Sequence, residues 1–196
     1  YRVVKNSVLI SNGGKNLDQP IIVGKQELES QKNSNNEDDS VASQSNIEDT
    51  KKGYSDQFWA QLKNLGLTGI NIPTKFGGSE MGLLDQVIVY EEFGRALSLS
   101  PHLVSSVICA SLINKLGTSK QKKEILTGIA SGELIASLAW LEEGSSFYKE
   151  GINLTLTKKS NKYYVTGKKH MVPYASQANK IIILFRDSSN IGAAII

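Results

Sequence analysis

The chain has 196 residues, 40% of them apolar, and its 22 basic and 19 acidic residues leave a formal net charge of +3. That length allows one well-formed hydrophobic core or two small ones, and so mild a charge excludes the strongly basic surface typical of nucleic-acid-binding proteins. No segment approaches the roughly 20 apolar residues of a membrane span, and no signal-peptide pattern is visible, so we predict a cytoplasmic protein without a membrane span.

The first 52 residues carry little folding information. Two short β-type runs, at residues 3–10 and 21–23, flank the turn formers of residues 11–14, a pattern that fits either a hairpin or a loosely ordered leader. Residues 30–52 are mostly polar, and such a segment cannot bury enough apolar surface to offset the entropy lost on ordering. We therefore assign residues 1–52 to a poorly ordered leader and linker.

Residues 53–133 have the apolar spacing of helices joined by short connections, which favours an antiparallel helical domain. Ser55 is a suitable N-cap for the first helix, and Gly66 suits its C-terminal end. Thr118 and Gln121 have the spacing of a capping box that opens the last helix. The predicted helices span about residues 55–65, 83–96, 101–117 and 118–130.

Apolar residues at helical spacing define one face of each of the first three helices, and in the third helix we expect that face to point inward. Cys109 lies in the third helix, where a buried small side chain is favoured over a nucleophile, and as the single cysteine it excludes an internal disulfide. The faces consist of Phe58, Leu62 and Leu65; of Leu84, Val87 and Ile88; and of Val104, Val107, Ile108 and Leu112.

The periodicity changes in residues 134–196, where short apolar or alternating runs are separated by turn formers, as in strands. Helices followed by strands indicate an α+β fold or two successive domains. Because the last residues are apolar and stop abruptly, we expect a truncated chain. The predicted strands lie within residues 134–141, 152–156, 163–165, 181–185 and 191–196.

Catalytic patterns are scarce. His102 and His170 are far apart in the sequence and have no partner at metal-ligand spacing, so a structural or surface role is favoured for each. The chain has no phosphate-binding glycine loop of the Walker or dinucleotide type. Periodicity and residue chemistry alone therefore predict a helical packet with a small sheet. They do not point to a particular activity.

Five blocks in chain order resemble motifs of the acyl-CoA dehydrogenase family, and together they cover about 130 residues. The resemblance implies a helical N-terminal domain, an antiparallel β-barrel-like middle domain, of which residues 134–196 form a part, and a helical C-terminal domain. The blocks are W-A-Q-L-K-N-L-G-L-T-G-I at 59–70 with I-P at 72–73 and F-G-G at 76–78; V-I-V-Y-E-E-F-G-R at 87–95; L-G-T-S-K-Q-K at 116–122; A-S-G-E-L-I-A at 130–136; and G-K-K-H-M-V-P at 167–173.

The resemblance implies an enzyme that uses FAD to introduce an α,β double bond into an acyl-CoA, with a glutamate as the base. It also implies an electron-transfer flavoprotein as acceptor and a homotetramer or hetero-oligomer in the full-length protein. The family glutamate belongs to the C-terminal domain, which we expect to lie beyond this chain. No residue here is therefore assigned as catalytic, and we predict that the 196-residue chain alone does not turn over acyl-CoA.

Two family motifs imply cofactor-binding residues, and both are altered in this chain. The family pattern T-E-P reads Leu141-Glu142-Glu143 after Trp140, so the threonine that bonds the flavin pyrimidine becomes a leucine without a side-chain donor. The family pattern W-I-T reads Met171-Val172-Pro173, so a threonine hydroxyl is lost and Pro173 has no N–H. Backbone N–H groups near Leu141 and Val172 remain as flavin donors, and Met171 could pack on the ring. The alternative is that Met171 and Val172 are strand core.

The loop at residues 144–148 corresponds to the region that contacts the thioester side of CoA in relatives. Ser145 or Ser146 could bond the substrate there, or both could be ordinary loop serines. A second function remains open because the flavin motifs are altered: a non-catalytic partner subunit of a heteromeric dehydrogenase. A stand-alone helical interaction module would fit residues 54–130 but leaves the strands unexplained.

Overall fold

A computed structural model describes residues 51–159 and 162–196, together with the backbone of three short strands, β1 (Arg2–Val3), β2 (Val8–Ile10) and β3 (Val23–Gly24). Strand β1 pairs antiparallel with β3, whereas β2 pairs with a strand at Lys162–Val165. The start of the first predicted run, Val3, thus pairs with Val23 of the second run as the hairpin requires, whereas Val8–Ile10 at the end of the first run pair with the later strand. The predicted turn at residues 11–14 and residues 30–50 of the predicted linker lie outside the described residues.

Four helices follow in the described part of the chain, and they match the predicted helical segments. Helix α1 is Asp56–Asn64 and α2 is Leu83–Arg95. Helix α3 begins with π-helical turns at Leu103–Cys109 and continues as an α-helix at Ala110–Leu116. Helix α4 is Ser119–Gln121, Lys122–Leu126 and Thr127–Ala130, of which the middle part is π-helical. Short 3₁₀ turns occupy Leu67–Gly69 and Thr74–Phe76.

The predicted helix ends are confirmed. The Ser55 hydroxyl accepts a hydrogen bond from the N–H of Phe58 at 3.3 Å, and Gly66 has the left-handed conformation, with φ 71°, that glycine adopts without strain. At the start of α4, Thr118 and Gln121 cap each other reciprocally. The π-helical turns in α3 and α4 were not predicted, because propensity and spacing do not distinguish them from α-helix.

Five strands follow the helices and confirm the α+β class. Together with β2 from the N-terminal segment, they form two three-stranded sheets, β2-β6-β5 and β4-β7-β8. Against the predicted antiparallel arrangement, β4 pairs parallel with β7, because the intervening chain crosses over instead of turning tightly. The strands are β4 (Ala136–Ala139), β5 (Leu156–Lys159), β6 (Lys162–Val165), β7 (Lys180–Asp187) and β8 (Asn190–Ile195).

The helices and the β4-β7-β8 sheet share one hydrophobic cluster. Buried side chains of α3 and α4, including Ile113 and Leu126, pack with Leu138 of β4 and Ile182 of β7. Cys109 is fully buried in this cluster, as expected, and burial raises the pKa of its thiol to about 12. The shared core fixes α3 against β4, and this contact determines where the site lies.

Several apolar residues of the predicted helix faces are exposed. Leu65 is 72% exposed, and Leu84, Val87 and Ile88 of α2 are exposed as well. Ile108 of α3 was expected to point inward but is 37% exposed. The helical period correctly groups residues on a face, but it cannot show which faces the rest of the chain covers. Ile152 and Leu154 are buried as the alternation suggested, yet they precede β5.

Candidate functional site

A cavity of about 1140 Å³ opens between the helices and the end of strand β4. Its lining is mainly apolar and aromatic, as is usual for small-molecule sites. From α2, α3 and the segment between them come Tyr90, Phe93, Gly94, Leu97, Leu103 and Ile108. From the strand side come Leu138, Trp140, Leu141, Phe147, Met171 and Pro173.

The helical wall of the cavity is held by a buried hydrogen-bonded pair. The Tyr90 hydroxyl lies 2.7 Å from His102 Nδ1, and His102 Nε2 lies 2.8 Å from the carbonyl oxygen of Leu67. Because a carbonyl only accepts, Nε2 carries the proton and donates, and the tyrosine hydroxyl donates to Nδ1. Burial lowers the pKa of His102, against the opposing bond to Leu67, and raises the pKa of Tyr90. The neutral pair of Tyr90 and His102 therefore supports the cavity wall, in agreement with the structural or surface role predicted for His102.

Four of the six predicted cofactor residues line the cavity. Trp140 and Leu141 follow β4, and Met171 and Pro173 belong to the segment that lies beside them. The N–H of His170 donates to the carbonyl oxygen of Leu141 at 2.8 Å, which ties the two segments together. The fold therefore brings both altered motifs to one edge of one cavity, although about 30 residues separate them.

The other predicted residues do not present their side chains to the cavity. Val172 is 1% exposed and packs in a core cluster of the β-region, although it does not lie in a strand. Glu142 turns its carboxylate toward Lys169. The Ser145 hydroxyl donates to the carbonyl oxygen of Glu142 at 2.7 Å and accepts from its N–H at 3.0 Å, which closes a local turn. Ser146 is exposed.

Glu142 and Lys169 form an ion pair behind the cavity edge, in which the lysine side chain is 2% exposed and the glutamate side chain 15% exposed. Lys169 Nζ lies 2.8 Å from Glu142 Oε1 and 2.9 Å from the carbonyl oxygen of Trp140. The carboxylate also accepts from the N–H groups of Asn153 and Leu154. Burial acts to raise the pKa of Glu142, but the hydrogen bond from Lys169 and the two backbone bonds outweigh it and hold that pKa below its usual value. Burial lowers the pKa of Lys169, and its bond to Glu142 opposes the shift.

Residues 37–133 match the family model described as acyl-CoA dehydrogenase, N-terminal domain. Isovaleryl-CoA dehydrogenase of Pongo abelii is 35% identical over 132 residues, which are 65% of this chain and 30% of that protein. The chain belongs to the acyl-CoA dehydrogenase family. Another relative, acyl-CoA dehydrogenase FadE12 of Mycobacterium tuberculosis, is 31% identical over 137 residues, 69% of this chain and 35% of that protein. This family member thus spans roughly a third of the length of these curated relatives.

Solved structures, among them an acyl-CoA dehydrogenase, share the fold of this family member. The ChsE4-ChsE5 complex from Mycobacterium tuberculosis aligns with a TM-score of 0.69 and 21% identity, over 78% of this chain and 41% of that chain. An acyl-CoA dehydrogenase complexed with FAD, from Bacillus anthracis, aligns with a TM-score of 0.68 and 24% identity, over 78% of this chain and 27% of that chain. At such identities the likeness shows the fold alone.

The cavity edge of this acyl-CoA dehydrogenase family member has features that fit a flavin ring. Across residues 51–159 and 162–196, no hydrogen bond engages the N–H of Leu141 or of Val172, and these are the donors expected from the motifs. Trp140 Nε1 is buried without a partner among the same residues. Met171 is 76% exposed beside them, so its side chain is available to pack on a planar ring. Main-chain donors and an apolar contact surface fit the ring, although the hydroxyl donors of the family motifs are absent.

Sequence reasoning missed the helical half of the cavity. Tyr90 and Phe93 of α2, Leu97 beyond it and Leu103 of α3 line the wall opposite the altered motifs. The signal was present, because residues 90, 93 and 97 follow the i, i+3, i+7 spacing of one helical face. Apolar residues at that spacing usually form core, so the spacing by itself does not indicate a cavity wall. In the described ranges, no group of three or more His, Cys, Asp or Glu side chains is placed to hold a metal ion.

Proposed function

We propose that this chain forms the helical wall and one flavin-binding edge of an FAD-dependent acyl-CoA dehydrogenase, which introduces an α,β double bond into an acyl-CoA thioester. The observation that carries the proposal is the meeting of both altered flavin motifs at one apolar cavity, which Leu141, Met171 and Pro173 line. The N–H of Leu141 and that of Val172, which is buried next to the cavity lining, are unengaged among the described residues. The family membership of the chain supports the reaction class.

In this proposal the apolar cavity binds the acyl chain and excludes water from the reacting carbons. Phe93, Leu97 and Ile108 supply apolar contact on the helical side. The N–H groups of Leu141 and Val172 hold the polar edge of the flavin, and Met171 packs on its ring. FAD bound there would supply the acceptor for the hydride from the β-carbon of the substrate, and the α-proton would go to a base that is not assigned to this chain.

Substrate thioester contacts are assigned to the loop that follows the first motif. Ser146 is exposed, whereas the Ser145 hydroxyl is already bonded at the backbone of Glu142. Of the two predicted serines, Ser146 is therefore the one assigned to the hydrogen bond with the substrate, and Ser145 stabilises the loop conformation. The base is not assigned to Glu142, because its ion pair with Lys169 and its lowered pKa make it a weak proton acceptor.

The test is flavin content and flavin reduction in the protein expressed from its natural gene. We expect yellow protein whose flavin absorbance bleaches when an acyl-CoA is added without oxygen. A matched variant, Leu97→Trp, fills the helical side of the cavity and should weaken bleaching by long acyl chains while leaving flavin content unchanged. Clean, folded and colourless protein that takes up no FAD would contradict the proposal.

A second candidate is favoured by the lost hydroxyl donors at Leu141 and Pro173: a non-catalytic subunit that shares a flavin site with an unlike chain. Both candidates place an oligomer around the site, and the dehydrogenase candidate adds an electron-transfer flavoprotein as acceptor. Co-purification separates the two, since activity of the isolated gene product would exclude the partner-subunit candidate. The cytoplasmic location remains a prediction from the sequence.

A further inference from the structure

Lys169 is an unusual side chain for its position. It is 2% exposed, although a lysine is almost never fully buried unless its ammonium group is paired. Its Nζ reaches both the carbonyl oxygen of Trp140 and the carboxylate of Glu142, so a single side chain from the second cofactor segment bonds twice to the first. Neither bond faces the cavity, where Lys169 is not part of the lining.

The two segments that Lys169 joins are those proposed to bind the flavin. Residues 140–142 carry the N–H of Leu141, and residues 171–173 carry the N–H of Val172. The backbone bond from the N–H of His170 to the carbonyl of Leu141 also ties them together. Donors that bind one planar ring must keep their spacing within about 0.5 Å, which requires support from the residues behind them.

We propose that Lys169 is a positioning residue for the flavin: its ion pair with Glu142 and its bond to Trp140 set the distance between the Leu141 and Val172 donors. This inference rests on the proposed flavin site. Glu142 extends the same support, because its carboxylate also bonds the N–H groups of Asn153 and Leu154 and so anchors the loop beyond the first segment.

The decisive variant is Lys169→Met combined with Glu142→Gln in the protein expressed from its natural gene. Lys169→Met alone strands a buried carboxylate and can unfold the chain, whereas the pair of changes removes both charges together. The amide introduced by Glu142→Gln still offers an oxygen to the N–H groups of Asn153 and Leu154. The control is Lys63→Met, which removes the lysine of a salt bridge to Glu133 away from the cavity.

Thermal unfolding, FAD titration and the visible circular dichroism of the bound flavin are measured on the wild type, the Lys169→Met variant, the double variant and the control. We expect the double variant to keep its fold, while its Kd for FAD rises about tenfold or more. A change of that size is typical when residues that support a binding site are removed. The circular dichroism spectrum of the bound flavin should also change shape. Lys63→Met should bind FAD as the wild type does.

The outcomes separate this inference from the function on which it rests. A double variant with wild-type unfolding and wild-type FAD affinity would overturn the positioning role. Loss of binding only in proportion to loss of folded protein would make Lys169 purely structural and would overturn it too. A folded wild type that takes up no FAD refutes the proposed function itself, and the positioning role with it.

Discussion

The carboxylate of Glu142 accepts hydrogen bonds from Lys169 Nζ and from the backbone of Asn153 and Leu154, and these bonds hold its pKa below the usual value. The unfolded chain therefore binds a proton at higher pH than the folded one. The stabilisation from Glu142 is complete above the ordinary glutamate pKa of about 4.3 and is lost as the pH falls below it toward the folded-state value.

We expect Glu142→Gln to lower the free energy of unfolding at neutral pH by about 3–5 kcal/mol, because it leaves the buried Lys169 ammonium group without its carboxylate partner. The difference from the wild type should shrink as the pH falls below the ordinary glutamate pKa. Urea unfolding at a series of pH values measures it. Glu143→Gln is the control, because that side chain is 79% exposed. A difference that stays constant down to strongly acidic pH would contradict the pKa direction.

Two neighbouring serines in α3, Ser105 and Ser106, allow a second test at the scale of single residues. Both are fully buried, but the Ser105 hydroxyl accepts the N–H of Ala136 at 3.0 Å, whereas Ser106 Oγ has no partner among the described residues. Ser105→Ala should cost about 1–3 kcal/mol, because it leaves a buried N–H unsatisfied. Ser106→Ala should be neutral or slightly stabilising. The free energies of unfolding are measured with denaturant. Equal losses in the two variants would show that the hydrogen bond between Ser105 and the N–H of Ala136 does not stabilise the fold.

At the scale of elements, the Phe76-Gly77-Gly78 turn uses its two glycines differently. Gly77 has φ 84° with open space around a would-be Cβ. Gly78 needs no positive φ, but a Cβ there would collide with the backbone oxygen of Ile72 and lie 2.6 Å from that of Gly69. The first glycine is required by conformation and the second by close backbone approach.

Alanine substitutions separate these two requirements. Gly77→Ala should cost about 1–2 kcal/mol, the usual penalty for a left-handed residue with a Cβ. Gly78→Ala should cost more, because the segment around Gly69 and Ile72 must move to admit the methyl group. Thermal unfolding ranks the two variants, and the proposal is wrong if Gly77→Ala is the more destabilised.

Also at this scale, α3 joins the core to the cavity. Its buried side fixes it against β4 through Ser105, while Leu103 and Ile108 face the cavity. The π-helical turns at Leu103–Cys109 shift the register of side chains along this helix, so a residue expected inward from a regular period, Ile108, lies at the cavity wall.

At the scale of the molecule, the exposed apolar side chains of α2 form a continuous surface. Leu83, Leu84, Val87 and Ile88 are between 54% and 79% exposed. A patch of this kind on a folded chain promotes association. In the described part of the chain, by contrast, no helix is long and apolar enough to cross a membrane.

We expect the 196-residue chain to self-associate at high concentration, and the double change Leu84→Lys with Ile88→Lys to reduce that association without lowering the unfolding temperature. Light scattering as a function of concentration measures the effect. Leu65→Lys is the control, because Leu65 is 72% exposed but lies outside this surface. Equal suppression by the control would show that added charge, and not the α2 surface, is responsible.

The sequence by itself determined the order and type of the elements. Local signals mark their ends: Ser55, Gly66 and the Thr118–Gln121 box act through neighbouring backbone groups, so no tertiary information is needed. Motif order over the chain likewise indicated the family, which the comparisons confirm. The altered motif residues could be named from the sequence because a missing hydroxyl or N–H is a property of the residue itself.

Only the tertiary structure decided which faces are covered, which strands pair and what stands behind the site. The parallel β4–β7 pair joins residues about 44 positions apart, and the Lys169–Glu142 pair joins residues 27 apart, so neither is visible in a local pattern. The helical wall of the cavity was missed for the same reason. The spacing of apolar residues along the sequence shows which side chains share a face of a helix or strand. The burial of that face and the pairing of strands depend on chain segments that meet only when the protein folds.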